Sequence, residues 1–225
     1  MRFLLYCKIS LFIFPLLVNL NLQTKEMAEM RIKLGQIAEI RTGYTLREGF
    51  SKMIRGDTPL IQMSDLEALA ENKIDQVKTI NLVVRSPDWT LQEGDLLMKA
   101  RGSEFFPVFV SKAFQGAVFT HPLLRIRVDR ELADPEFIAW LLSQSNIQAQ
   151  LQRFSAGTSL QMLKLSNLKE IELNLPSLNR QYQVQQIVRL MKHEQKLLNQ
   201  LTVKRKQLVC SSIEKIIQQE QFLQA

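Results

Sequence analysis

Arginine, lysine and glutamine set among Gly, Ser and Thr recur in three short stretches of the chain. Nucleic-acid recognition asks for this mixture. It needs cations for phosphates, planar donors for base edges, and small residues where the backbone comes close to the duplex. The first stretch, RTGYTLREGFSKMIRG (41–56), carries Arg41, Thr45, Arg47, Lys52 and Arg55 with Tyr44 interleaved. The second, KARGSEFF (99–106), sets Lys99 and Arg101 before a Gly102-Ser103 turn. The third, SAGTSLQMLK (155–164), is a Gly loop with Thr158, Ser159, Gln161 and Lys164. Arg and Gln can make bidentate contacts to guanine and adenine in the major groove. Each stretch alone reads equally well as a solvated loop; the three together point to binding.

Other chemistries find little support. The sequence has no GxxxxGK[ST] phosphate loop, no GxGxxG after a strand, no HExxH, no CxxC pair and no GxSxG elbow. Its two histidines are His121, before Pro122 in a turn, and His193, on the C-terminal arm; both read as solvated or capping rather than catalytic. Cys7 and Cys210 can form neither a disulfide framework nor a four-ligand zinc site. Asp57, Asp65 and Asp95 could be imagined as metal ligands, but Asp in turns usually caps. A binding module without metal or cofactor is expected, rather than an enzyme.

The elements that must hold these loops divide the chain in three: 1–26, 27–177 and 178–225. Residues 1–26 have a basic start and an apolar run, ISLFIFPLLVNL, too short and too interrupted by Pro15 to span a bilayer. No small-x-small cleavage site follows. Translation from Met27 or Met30, a signal or anchor, and a packed extension are all open readings. Residues 27–177 carry equal numbers of basic and acidic side chains and mix strands with helices without regular βαβ spacing, an α+β pattern. A short helix or turn over Leu34–Ile37 runs into a strand, and IQMSDLEA reads as a strand ending at a helix cap. Ile80–Arg85 and the residues after Gly94 read as further strands. VFVSKAF and AVFTHPLLRIRV, around Gln115-Gly116, predict a hairpin. Asp134-Pro135 opens a helix through FIAWLLSQSNIQAQL with a stripe of Phe137, Trp140, Leu141 and Ile147. IELNLP closes the domain as a strand.

From Leu178 onward there is neither Gly nor Pro, and residues 180–225 hold eight basic against three acidic side chains. A basic arm fits DNA, RNA or an acidic protein face. As a helix of some forty residues it would reach roughly 60 Å. Val184, Ile187, Met191, Leu198, Leu201 and Leu208 fall on a and d positions of one heptad frame, while Glu194, Arg205, Ser212 and Lys215 interrupt it. Such a stripe predicts a coiled coil with a partner chain or a second copy. The competing reading is a core helix of the same domain, against which the length argues.

In this order the motifs resemble one family. LGQIAEIRTGYTLR, IQMSDLEA, LQEGDLLMKARGS, DPEFIAWLLSQ and SAGTSLQMLKLSNLKEIELNLPSLNRQYQVQQIV resemble successive parts of the target-recognition domain and long helix in specificity (S) subunits of type I restriction–modification enzymes. Two positions depart from the family's pattern: Arg180 precedes Gln181 where Glu is common, and Thr120-His121 stands where an Asn-Gln pair is usual. A full S subunit has two such domains joined by two antiparallel helices, so the resemblance implies a half-length form. Two copies paired through the C-terminal helix would then read an interrupted palindrome in double-stranded DNA. The resemblance further implies docking to methyltransferase (M) subunits, an added motor endonuclease (R) subunit, a cytoplasmic location, no membrane contact and no catalysis in this chain. A coiled-coil interaction protein of the same fold that does not read DNA is the alternative.

Overall fold

A computed structural model describes residues 30–45, 54–81, 88–155 and 162–223. Along the chain lie β1 (Met30–Lys33), α1 (Leu34–Ile37), β2 (Ala38–Thr42), β3 (Ile54–Ile61), α2 (Leu66–Ala70), β4 (Thr79–Ile80), β5 (Leu96–Lys99), β6 (Val108–Phe109), β7 (Val118–Phe119), β8 (Leu123–Val128), α3 (Pro135–Leu142), α4 (Ser145–Ser155), α5 (Leu165–Lys169), β9 (Glu172–Leu175) and α6 (Leu178–Leu223). The architecture is α+β with a long C-terminal helix. The segment 1–26 lies outside the described residues. Among those described, no helix is long and apolar enough to cross a membrane.

The strands β2-β8-β5-β6 form the central sheet, β4-β3-β7 a second sheet, and β1-β9 a two-stranded ribbon. Strict alternation in the central sheet gives it two working faces. Ile40, Leu96, Met98, Leu124 and Ile126 enter the larger core beneath Phe137, Ile138 and Leu151 of α3 and α4. On the opposite face, Leu97 and Leu123 belong to a second core with Ile61, Leu69, Phe114 and Phe119. The sheet is thus held from both sides, which fixes where its strands end.

Local sequence explains most of these boundaries. Asp134 caps α3 by accepting a hydrogen bond from the Phe137 N–H at 2.8 Å, with Pro135 in the first turn. The single helix expected beyond it is two. The Ser143 hydroxyl donates to the Ala139 carbonyl at 2.8 Å, and the Gln144 carboxamide donates to that of Trp140 at 2.9 Å. These side chains compete for carbonyls that a continuing helix would use. The expected hairpin around Gln115-Gly116 turns as predicted, with Gly116 at φ 85°. Its arms nevertheless pair elsewhere: β6 with β5, and β7 parallel to β3. Each arm has only two residues, with the donorless Pro107 and Pro122 near their ends, and the longer strands satisfy their backbone groups better. Of the strand expected over Ile80–Arg85, the pairing of β4 includes Ile80, and residues 82–87 lie outside the described set.

Candidate nucleic-acid interface

β2 and β5 both run antiparallel to β8, so they run parallel to each other and end on the same edge, where β8 begins. Three backbone segments therefore meet there: Gly43–Thr45 after β2, Ala100–Ser103 after β5, and Thr120–Pro122 before β8. Hydrogen bonds join them into a rim. The N–H groups of Gly43 and Tyr44 donate to the carbonyls of Leu123 and Phe119, at 3.0 and 2.9 Å, and the His121 N–H returns one to Tyr44 at 3.0 Å. On the other side the Ala100 N–H donates to the Pro122 carbonyl at 2.8 Å. Residues 162 and 163 complete the rim, through a bridge of Met162 with Arg101 and a bond from the Leu163 N–H to the Ala100 carbonyl at 2.7 Å. Gly43 is required: a Cβ there would lie 2.3 Å from the Thr120 carbonyl carbon. Gly102, at φ 118°, turns the chain away after Arg101.

The fold therefore gathers the anchors of all three stretches at one edge. Thr45, Lys99, Arg101, Ser103 and Lys164 are exposed on it. Lys99, Arg101 and Lys164 form no ion pair among the described residues. Arg41 is exposed but engaged, its Nε 2.8 Å from the Glu39 carboxylate and 3.7 Å from Asp88. Tyr44 is half-buried, edge-on to Trp89 at 4.9 Å and packed with Leu60, Ile80 and Val118. It props the rim from beneath rather than standing out from it. Arg55 falls within β3 rather than in a loop. Arg47, Lys52, Thr158, Ser159 and Gln161 lie outside the described residues.

Behind the rim the charged side chains neutralise one another. Arg125 is 1 % exposed, donates to Glu39 at 2.9 Å and to the Thr90 carbonyl at 3.3 Å, and burial lowers its pKa. Glu39 serves two guanidiniums: the hydrogen bond from Arg41, then the charge of Arg125, hold its carboxyl below the usual range. Arg127 grips the buried Asp95 with two bonds of 2.7 and 2.8 Å, which raises the arginine's pKa. Residue types alone did not reveal this pairing. The signal available was the alternation in LLRIRV, which puts both arginines on the face that Glu39 and Asp95 share. Asp65 and Asp95 also cap turns, accepting from the N–H groups of Gln62 and Gln92 at 2.9 and 2.7 Å. Among the described residues no acidic, His or Cys group is arranged to hold a metal ion.

The root of α6 is fastened to the domain by Gln181, whose side chain is fully buried. Its carboxamide accepts from the Asp134 N–H and donates to the Pro176 carbonyl, both at 2.8 Å. One helical turn later Val184 packs on the larger core. It was expected in the partner-facing stripe, but its position in the first turns directs it to its own domain. Arg189 then clasps Glu136 with bonds of 2.9 and 2.6 Å. Beyond Arg189 the side chains described, to residue 215, are all exposed, Cys210 and His193 included. Ile187, Met191, Leu198, Leu201 and Leu208 remain uncovered, and Leu190, Leu197, Val209 and Ile213 broaden their stripe. At 3.6 residues per turn this face spans roughly 160°, wider than a strict two-position seam.

Comparison with known proteins gives one consistent picture. A family model described as "Type I restriction modification DNA specificity domain" matches residues 27–209. The fold is shared with the HsdS subunit from Thermoanaerobacter tengcongensis at a TM-score of 0.59 and 19% identity, covering 76% of this chain and 44% of that one. A chain from a structure on complex assembly and conformational transition of the type I R-M system gives 0.55 and 15%, covering 82% and 44%. The present chain thus spans less than half the length of either solved chain. No curated protein sequence matches it.

Proposed function

We propose that this chain, which belongs to the type I restriction modification DNA specificity domain family, reads one half of a two-part DNA site and directs methyltransferase and endonuclease subunits to it without catalysing a reaction itself. The observation that carries the reading is the rim. Stretches far apart in sequence end on one edge of a sheet braced by two cores, with Lys99, Arg101 and Lys164 exposed there and in no ion pair among the described residues. The charges behind the rim have internal partners. Cations on a rigid edge fix register against phosphates, and neighbouring side chains then meet base edges.

In this reading residues 27–177 are the target-recognition domain, and the arm from 178 onward is spacer and docking surface. Arg47, Lys52, Arg55, Thr158, Ser159 and Gln161 belong to the DNA-facing set with the residues of the rim. The exposed apolar face of α6 takes a second copy of the same helix, giving a coiled-coil dimer with two heads and an interrupted palindromic site. The breadth of that face leaves room for helices of M subunits beside the second copy. S-adenosylmethionine and the base-flipping chemistry would be the M subunits' own. The working compartment is the cytoplasm.

The test is protection of DNA by the full chain, alone and with the methyltransferase subunits of its host. Protection confined to one sequence, appearing when those subunits are added, is the expected result. Equal binding to every duplex, falling steeply with salt, would be electrostatic association and would refute the reading.

A further inference from the structure

Resting on that reading, we propose that His121 is a specificity-determining residue, standing at the middle of the DNA-facing rim and contacting a base edge. The Thr120–Pro122 turn is the hub of the rim. Through the His121 N–H it holds the segment after β2, and through the Pro122 carbonyl it holds the segment after β5, which in turn holds residues 162 and 163. It is anchored from below as well: the Thr120 N–H donates to the Ile61 carbonyl at 3.0 Å, and its side chain is buried. The backbone of His121 is therefore fixed on both flanks while its side chain is exposed. The imidazole makes no hydrogen bond or ion pair among the described residues.

Its neighbours differ in kind. Lys99, Arg101 and Lys164 are long, mobile cations suited to phosphates. Histidine is short, has two rotatable side-chain bonds, and in its neutral form offers one donor and one acceptor at fixed separation. A donor of that kind meets guanine N7 or O6, and the acceptor meets the adenine amino group. A short polar ring on a backbone held at both flanks, with longer cations on the adjoining segments, is the arrangement of a reader beside positioning contacts.

The experiment selects from a pool of randomised duplexes with the full chain and its host's methyltransferase subunits, comparing wild type, His121→Ala and His121→Gln. Wild type should enrich one motif. His121→Ala should enrich the same motif with one position, or two adjacent ones, become degenerate, and should bind the wild-type motif about 5- to 50-fold more weakly. His121→Gln, which keeps a donor and an acceptor, should retain or alter preference at that same position and no other. An unchanged circular dichroism melt is expected for both variants, since the side chain is exposed. If wild type enriches a motif and His121→Ala keeps every position at full strength, the assignment of His121 is overturned while the family reading stands. A uniform loss with no position relaxed would make His121 a phosphate contact and equally overturn it. If wild type enriches no motif, the functional reading itself falls, and His121 with it.

Discussion

Replacing Leu201 by Glu should separate two copies of this chain while leaving the domain folded. Leu201 is 66% exposed on the broad apolar face of α6. Complete burial of a leucine contributes about 1.5–3 kcal/mol, so cover from a second helix would supply roughly two thirds of that, ~1–2 kcal/mol per chain. Two-fold symmetry places the substitution twice in the interface, for ~2–4 kcal/mol. At about 1.4 kcal/mol per tenfold, this is a rise of roughly 30- to 700-fold in the dimer dissociation constant. Desolvation of two carboxylates adds to it. Sedimentation equilibrium over a concentration series gives the constant, and circular dichroism of the same samples gives the state of the domain. Val184 and Gln181 root the helix on the domain below Leu201, so the melt should hold. A Leu201→Glu chain that dimerises like wild type would refute the argument that this face seats a second copy.

Three further outcomes are expected. Arg101→Ala should weaken binding to the preferred sequence by about 1–3 kcal/mol, read by titration of labelled duplex at fixed salt. Gly43→Ala should destabilise the domain by ~1–3 kcal/mol or more in a denaturant titration, because the new Cβ meets the backbone of Thr120 and His121 at 2.3–2.7 Å and only a backbone shift relieves it. Glu136→Gln should lower stability at neutral pH by ~0.2–1 kcal/mol, the modest size reflecting the exposure of Arg189. The hydrogen bond from Arg189 depresses the folded-state pKa of Glu136. Its contribution is therefore complete above the ordinary glutamate value and fades as pH falls through the folded value. The gap between wild type and Glu136→Gln, followed by thermal melts, should close in acid.

What could be read from the sequence was what local chemistry decides. Asp134-Pro135 announced its helix because cap and first turn are local properties. The short helix running into β2 followed from the spacing of Leu34, Ile37 and Ile40, and the long arm from the absence of Gly and Pro after Pro176. What escaped was set by strand register. The partners of Arg125 and Arg127 depend on which strands lie beside β8, and the meeting of Gly43, Ala100 and His121 depends on β2 and β5 ending on one edge. The hairpin expectation was misled in the same way, since the Gly116 turn formed while its arms found other strands. Gln181 stood inside a motif, but only the fold shows its carboxamide tying the helix root to the Asp134 turn. His121 read as solvated because a single turn residue gives no hint of the rim around it.

Mapping methylated bases across the host genome with and without this chain's gene tests whether the chain confers DNA sequence specificity on a modification complex. An interrupted motif, palindromic if two copies pair, should be methylated in the parent and lose all methylation on deletion. Restoring the gene should return the same motif. An identical methylation map in both strains, with the partner subunits expressed, would rule out that role.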